Sequence, residues 1–147
     1  INPSTSPGKT FSMTDPLYLL DTDICIYIIN RKPERVFQHL RGLRAGQVAL
    51  SSISGAELAF GVAKTGSARN RMALEKFLAP LDILPFDEAA MGRYGELRAH
   101  LERAGTPIGP MDTLIAAQAL AVGATLVTNN QREFQRVPNL SLENWAA

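Results

Sequence analysis

Three acidic residues lie at positions where an α/β protein commonly carries its chemistry. Asp21 directly follows a short apolar run, Glu57 follows a second one, and Asp112 lies in the first turn of an apolar helix. Two further polar residues, Thr128 and Asn130, follow another apolar run. Because parallel sheets bind ligands at the carboxyl ends of their strands, we expect these side chains to face one pocket.

Carboxylates that share a pocket repel each other and raise each other's pKa values. A hard cation such as Mg²⁺ or Mn²⁺ relieves that repulsion and prefers oxygen ligands. A divalent ion that keeps some of its waters is suited to phosphoryl chemistry. The chain has two histidines and one cysteine, which excludes a three-histidine metal site and a cysteine-built zinc site.

Each acid also has a purely structural interpretation. Ser54 and Glu57 match the S-x-x-E capping box at the start of a helix. Asp21 or Asp23 is a candidate cap for the helix that follows, and Asp23 is the more natural of the two. Asp112 is an acid of the kind that a helix dipole favours near its start. At this point the sequence leaves both interpretations open.

The elements that would position these residues follow an alternating pattern. Short apolar runs predict strands at 18–20, 47–51, 83–84, 125–127 and 141–143. Helical periodicity predicts helices at 24–29, from Pro33 onwards, and at 54–64, 69–78, 87–104 and 110–122. The pattern indicates an α/β fold with a central, mostly parallel sheet of about five strands flanked by helices on both faces.

Length and composition indicate one globular domain. The 147 residues are 46% hydrophobic and 20% charged. Residues 1–12 are rich in proline, serine and threonine, and we interpret them as an expression tag or disordered tail, with the domain at 13–147. No segment is long and apolar enough to suggest a membrane span, and no export signal is evident. Together with the single thiol, this favours the cytoplasm.

The sequence resembles the PIN-domain nucleases, and among them the VapC toxins of bacterial toxin–antitoxin systems. Three segments in order carry the resemblance: LLDTDICIYI, SSISGAELAFG and PIGPMDTLIAAQALAVGATLVTNNQREFQRVPNL. With the helical middle, they span nearly all of 13–147. The resemblance implies a PIN fold and Mg²⁺- or Mn²⁺-dependent endoribonuclease activity on RNA such as transfer or ribosomal RNA. It also implies a small VapB-type antitoxin as partner and a homodimer.

The resemblance also assigns roles to individual residues. The positions that match the acidic catalytic and metal-binding residues of the family are Asp21, Glu57 and Asp112. Thr22 matches a small hydroxyl residue beside the first acid, and Thr128 supports the site from a strand end. Asn130 stands where many PIN domains have aspartate, so it is a metal ligand with an oxygen but no charge. This leaves one metal ion or two open, with Glu133 as a candidate substitute that more naturally belongs to the following helical turn.

Positive charge is concentrated between residues 31 and 71, where the basic side chains exceed the acidic ones by six, although the whole chain has a net charge of only +1. Guanidinium groups match phosphate oxygens well. The candidate RNA-binding residues are Arg31, Lys32, Arg35, Arg41, Arg44, Arg69 and Arg71. Their structural alternative is a set of solvated helix faces.

Two rival functions remain open from sequence. Asp21-Thr22-Asp23 also fits a haloacid-dehalogenase-type phosphatase, with Asp21 as nucleophile and Asp23 as acid. A non-catalytic PIN-like module that only binds RNA is favoured by Asn130, since an amide there weakens the acidic site. Hydrolysis of simple phosphate esters or metal-independent RNA binding would distinguish the two.

Overall fold

The computed structural model describes residues 16–147, so the proposed tail and the start of the predicted domain lie outside the described residues. Within 16–147 there are five strands: β1 (Tyr18–Leu20), β2 (Val48–Ser51), β3 (Asp82–Leu84), β4 (Thr125–Val127) and β5 (Ser141–Glu143). The same range holds seven helices: α1 (Thr22–Asn30), α2 (Glu34–Arg41), α3 (Ser52–Thr65), α4 (Ala68–Leu78), α5 (Glu88–Arg103), α6 (Pro110–Val122) and α7 (Gln131–Phe134).

The five described strands form one sheet in the order β3-β2-β1-β4-β5, and every pairing is parallel. The chain builds outwards from β1 to β2 and β3 on one side, then returns to add β4 and β5 on the other. The strand order therefore reverses between β1 and β4, which is where open α/β sheets form a ligand crevice at the carboxyl end. This confirms the predicted α/β class with a parallel sheet.

Helices cover both faces of the sheet, as predicted. Alternate side chains of β1 point to opposite faces, because a strand has a two-residue period. Leu20 packs with buried residues of α1, α2, α3 and α4. Leu19 packs with buried residues of α5, α6 and α7 on the other face. Trp145 is buried in the first of these clusters, so it covers the core. In the described part of the chain, no helix is long and apolar enough to cross a membrane.

The start of α3 differs from the prediction. Ser51, the last residue of β2, caps the helix, because its hydroxyl accepts a hydrogen bond from the Ile53 N–H at 3.0 Å. Ser54 lies inside the first turn, fully buried, and its hydroxyl has no partner. The capping box predicted for Ser54 and Glu57 is therefore wrong, and Glu57 has no capping role that would explain its presence.

The cap of α1 also corrects the prediction. Asp21 is the capping residue, with Oδ1 accepting from the Thr22 N–H at 2.8 Å, whereas Asp23 lies in the first helical turn. The backbone N–H of Asp21 donates to the Val127 carbonyl at 2.8 Å, which extends the β1–β4 pairing by one residue. Asp21 is thus fixed at the point where the strand order reverses. It caps α1 and also lies at the crevice where a ligand is expected.

A buried glutamine ties α6 to the carboxyl ends of β2 and β3. Gln118 is only 1% exposed, and its Oε1 accepts a hydrogen bond from the Ser51 hydroxyl. Its Nε2 donates to the carbonyls of Leu84 at 3.0 Å and Pro85 at 2.9 Å. Since an unpaired buried polar group is costly, these bonds fix the position of α6 on the sheet. The helix that carries Asp112 is thereby held relative to the start of α3.

Candidate active site

Asp21 is the most buried acid of the site, with 6% of its surface exposed. Its Oδ2 accepts a hydrogen bond from the Thr128 hydroxyl at 2.7 Å, while Oδ1 is bound by the Thr22 N–H. Burial raises the pKa of Asp21 to about 6, and the nearby Asp23 carboxylate adds to this. The two hydrogen bonds lower the pKa in part, because they favour the charged form. Thr128 is completely buried and follows β4 directly.

Glu57 is brought beside Asp21 by a hydroxyl on the neighbouring helix. The Thr22 hydroxyl donates to Oε1 of Glu57 at 2.7 Å, across 35 residues of sequence. Glu57 lies in the second turn of α3, and Thr22 is the first residue of α1. Thr22 therefore connects two acids, through its N–H to Asp21 and through its hydroxyl to Glu57.

Asp112 meets a further acid, Glu133, across the starts of two helices. Asp112 lies in the first turn of α6, and Oδ2 of its carboxyl and Oε1 of Glu133 on α7 both lie beside Gly109. Burial raises the pKa of Asp112 to about 7, and Asp21, Glu133 and Glu57 all add to the shift. Two carboxyl groups can share a hydrogen bond only when one of them is protonated, since a carboxylate only accepts. The directions of the two pKa shifts favour Asp112 as the protonated partner.

Glu133 is held by two N–H donors. The backbone N–H of Gly109 donates to its Oε1 at 2.7 Å, and the side-chain amide of Asn130 donates to its Oε2 at 2.6 Å. These bonds, that of Gly109 foremost, lower the pKa of Glu133. The sequence prediction named Asn130 as a ligand and Glu133 only as a candidate substitute. In the structure Glu133 lies on the helical turn, as expected, and its carboxyl also reaches Asp112.

The structure thus brings together the three predicted acids and Glu133 at the carboxyl edge of the sheet. Their donor atoms are all oxygens, and like charges raise the pKa values of Asp21 and Asp112. Over residues 16–147, no group of three or more acidic, histidine or cysteine side chains is arranged so that it could hold a metal ion. Mg²⁺ usually binds one or two carboxylates and keeps several waters. The donor set therefore fits a hydrated, hard divalent cation better than a caged one.

The predicted RNA-binding residues lie away from these acids. Helix α1 begins next to Asp21 and ends at Asn30, so Arg31 and Lys32 follow it about 14 Å further along the helix axis. The guanidinium groups of Arg31 and Arg41 pack over the Phe37 ring, at 4.8 and 5.8 Å from its centre.

The other basic candidates are also remote from the acidic pocket in the fold. Arg44 precedes β2, and its N–H is bound by the Gln47 side chain at the amino end of the sheet. Arg35 is exposed on α2, and Arg69 and Arg71 are exposed near the start of α4. RNA binding by this segment stays a prediction.

Two basic residues next to the acids were not singled out from the sequence. Arg132 is exposed on α7, directly before Glu133. Arg136 donates to the Pro107 carbonyl at 3.0 Å, and its charge contributes to lowering the pKa of Glu133. The signal that could have found them is the segment NNQREFQR, which places both arginines within three residues of Glu133.

Asp23, the acid of the phosphatase hypothesis, has a structural partner. Its Oδ2 accepts the Asn129 N–H at 3.2 Å, and its Oδ1 is buried without a hydrogen-bond partner. Burial raises the pKa of Asp23. The Asn129 side chain donates to the Tyr27 hydroxyl at 3.1 Å, so this acid belongs to a connection between α1 and the loop after β4.

Comparison with known proteins agrees with the fold. A model of the PIN domain matches residues 18–140. Ribonuclease VapC2 of Rickettsia felis is 47% identical over 131 residues, which is 88% of this chain and 98% of the relative. The tRNA(fMet)-specific endonuclease VapC of Shigella flexneri is 41% identical over 130 residues, with 88% of this chain and 98% of the relative covered.

Solved structures agree with these relatives. The complex of VapBC2 from Rickettsia felis with a promoter DNA fragment contains a chain with a TM-score of 0.80 at 47% identity, covering 88% of this chain and 98% of that one. DNA-bound VapBC from Salmonella typhimurium gives a TM-score of 0.81 at 39% identity, with the same coverage. The chain belongs to the PIN-domain family and, within it, to the VapC ribonucleases. These relatives support neither the phosphatase nor the non-catalytic hypothesis.

Proposed function

We propose that the chain is a metal-dependent endoribonuclease toxin that hydrolyses RNA phosphodiester bonds. The observation that carries this proposal is the convergence of Asp21, Glu57, Asp112 and Glu133 at the β1–β4 switch point. Each of these acids comes from a different helix start or strand end, so no single local motif explains their meeting. Repulsion among them favours a bound cation, and Mg²⁺ or Mn²⁺ suits their oxygen atoms.

In this proposal Asp21 and Asp112 hold the metal ion. When bound, such an ion neutralises charge on the scissile phosphate and makes water a better nucleophile at neutral pH. Glu57 is held by the Thr22 hydroxyl on one oxygen, which leaves the other free to orient the attacking water. Glu133 completes the acidic set from the side of α7. In-line attack of water then breaks the bond from phosphorus to the 3′ oxygen and leaves a 5′-phosphate.

The raised pKa of Asp112, about 7, leaves this carboxyl partly protonated at neutral pH in the absence of a cation. A metal ion would bind the same carboxylate oxygens. Cation and proton would therefore compete, and metal binding would release the proton. The arrangement keeps two acids close together without unpaired repulsion until a cation binds.

The partners are proposed from the relatives. The solved complexes named VapBC support a VapB-type antitoxin for this chain, since the chain covers 98% of their toxin chains. A relative named as a tRNA(fMet)-specific endonuclease supports transfer RNA as the substrate class. We further propose a homodimer and a cytoplasmic location, on the family resemblance. Light scattering of the purified chain, alone and with the antitoxin, tests the two assemblies.

The activity is tested by sequencing the 5′ ends of RNA cut by the purified chain. Total bacterial RNA is incubated with Mg²⁺, with a chelator, and with the Asp112→Asn variant as matched control. We expect discrete new 5′-phosphate ends in transfer RNA, present only with Mg²⁺ and the intact carboxylate. Equal cutting in chelator or by the variant would overturn the proposed site, and ends confined to ribosomal RNA would overturn the substrate class.

A further inference from the structure

Asn130 connects the two halves of the acidic site through hydrogen bonds. Its backbone N–H donates to the Thr128 hydroxyl at 2.9 Å, and that hydroxyl donates to Oδ2 of Asp21. Its side-chain amide donates to Oε2 of Glu133 at 2.6 Å, and Oε1 of Glu133 and Oδ2 of Asp112 both lie beside Gly109. One residue thus joins a chain of contacts that runs from the first acid to the last.

The orientation of the Asn130 amide follows from its partner. A carboxylate accepts hydrogen bonds and donates none, so the NH₂ group of Asn130 must face Glu133. Gly109 provides the second donor, to the other oxygen of the same carboxylate. Both oxygens of Glu133 are therefore fixed, and its carboxyl is held against that of Asp112. Asn130 therefore contacts the acidic set through a hydrogen-bond donor rather than through its amide oxygen.

We propose that Asn130 is a positioning residue, which acts on the metal site by holding Glu133 against Asp112. This inference rests on the proposed metal-dependent function. The sequence predicted that Asn130 binds the metal ion through its amide oxygen. In this proposal Asn130 instead donates a hydrogen bond to Glu133, three residues later. The acidic side chain at this part of the site is Glu133, and hydrogen bonds from Asn130 and Gly109 fix the orientation of its carboxyl group.

A double-mutant cycle on Mn²⁺ binding separates positioning from direct ligation. The variants are Asn130→Ala, Glu133→Ala and the double variant, and the probe is Mn²⁺ alone, measured by titration calorimetry. Loss of a hydrogen bond to a charged group predicts about tenfold weaker Mn²⁺ binding for Asn130→Ala. In the Glu133→Ala background, the same substitution is expected to have no further effect, because Asn130 acts only through Glu133. Additive losses would overturn the proposal.

Asn130→Asp gives a second, independent arm. A ligand position would bind Mn²⁺ more tightly with a charged aspartate. A positioning residue that becomes an acceptor instead repels Glu133, so we expect Mn²⁺ binding no tighter than in the wild type, and a lower kcat for RNA with KM unchanged. Tighter binding would contradict the proposal. Gln135→Glu, on the exposed residue after α7, adds the same charge as a matched control and is expected to change neither quantity.

Two controls make the outcomes distinguishable. Thermal unfolding of each variant confirms that the exposed Asn130 side chain is not required for folding. If the wild type binds Mn²⁺ and Asp112→Asn does not, while Asn130→Ala binds as tightly as the wild type, only the positioning role is overturned. If the wild type binds no Mn²⁺ and cuts no RNA with it, the proposed function and this inference both fail.

Discussion

The two halves of the acidic site are built in different ways. In the first half, each acid has its own hydroxyl donor: Thr128 for Asp21 and Thr22 for Glu57. In the second half, Asp112 and Glu133 lie together beside Gly109 and can share a hydrogen bond only when one of them is protonated. The first half is therefore ready to act as a set of acceptors, whereas the second half needs a proton or a cation to hold it together.

The partners of the two buried acids differ between the halves. Burial is the largest cause of the raised pKa of Asp21 and also of the raised pKa of Asp112. Asp21 receives two hydrogen bonds that favour its charged form, and Asp112 faces a second carboxyl. The second half is thus the part of the site whose charge state depends most on a cation.

The largest expected effect comes from removing one acid in either half. Asp21→Asn and Asp112→Asn should each reduce RNA cleavage by at least about a thousandfold, because each removes charge that holds the metal. The halves differ in stability. The Asp112→Asn substitution supplies an amide donor to Glu133 that needs no protonation, whereas Asp21→Asn can turn an N–H group towards the Thr22 N–H.

Single-turnover cleavage and urea unfolding in chelator measure the two quantities. We expect Asp112→Asn to be at least as stable as the wild type and Asp21→Asn to be less stable. Wild-type cleavage by either variant would refute the site assignment. The reverse order of stability would refute the difference between the halves.

A smaller effect is expected from the hydroxyl donor of the first half. Thr128→Val keeps the shape of the side chain but removes the donor to Asp21 and the acceptor for the Asn130 N–H. A hydrogen bond to a charged group contributes about 1.5–3 kcal/mol, which corresponds to a loss of roughly 10- to 100-fold in kcat. Steady-state cleavage measures this loss. Thr125→Val, at the other end of β4, is the matched control and should leave kcat unchanged.

The pH dependence of stability tests the raised pKa of Asp112 in the metal-free protein. The folded pKa of Asp112 is about 7, against about 3.9 for an unfolded aspartate, so the folded protein binds more protons between these values. The contribution of Asp112 to the free energy of unfolding should then fall as the pH rises from about 4 to about 7. Asp112→Asn removes this contribution, so its stability relative to the wild type should increase between about pH 4 and pH 7. Urea unfolding in chelator checks this, and a constant difference would contradict it.

The smallest effect is expected far from the acids, in the basic segment. Arg35→Ala should raise KM for RNA a few-fold without changing kcat, and should reduce the salt slope of binding by about one. Arg103→Ala removes the same charge from an exposed position at the end of α5 and serves as control. Binding titrations over a range of salt concentrations separate the two variants. Equal effects would show that the segment has no special role.

Much of the fold was predictable because local signals and tertiary packing agree. The strands at 18–20, 125–127 and 141–143 and the helix at 110–122 have their predicted bounds. The predicted start of α3 was wrong because two serines, Ser51 and Ser54, are both candidates for the helix cap. Ser54 matches a local motif with Glu57, but Ser51 stands at the strand end, and its hydroxyl reaches both Ile53 and Gln118. The deciding contact joins residues 67 positions apart, which no local pattern shows.

Only those residues of the candidate site that lie near the ends of predicted strands could be predicted from the sequence. Asp21, Glu57 and Asp112 follow from the rule that polar residues at the carboxyl edge of a parallel sheet converge. The pairing of Glu133 with the Gly109 N–H spans 24 residues and depends on how α7 approaches α6. The sequence also shows that residues 31–71 are rich in basic side chains, but it does not show how far these lie from the acids. That distance depends on the length of α1, which places Arg31 about 14 Å from Asp21 along the helix axis.

The central claim is that the converging acids form a metal-dependent ribonuclease site. The most direct measurement is RNA cleavage by the purified, chelator-treated chain as Mg²⁺ is added back, with Asp112→Asn in parallel. We predict no cleavage without metal, cleavage that rises and saturates with Mg²⁺ in the wild type, and none at any Mg²⁺ concentration in the variant. Full cleavage by the wild type in chelator, or a variant that responds to Mg²⁺ as the wild type does, would contradict the account.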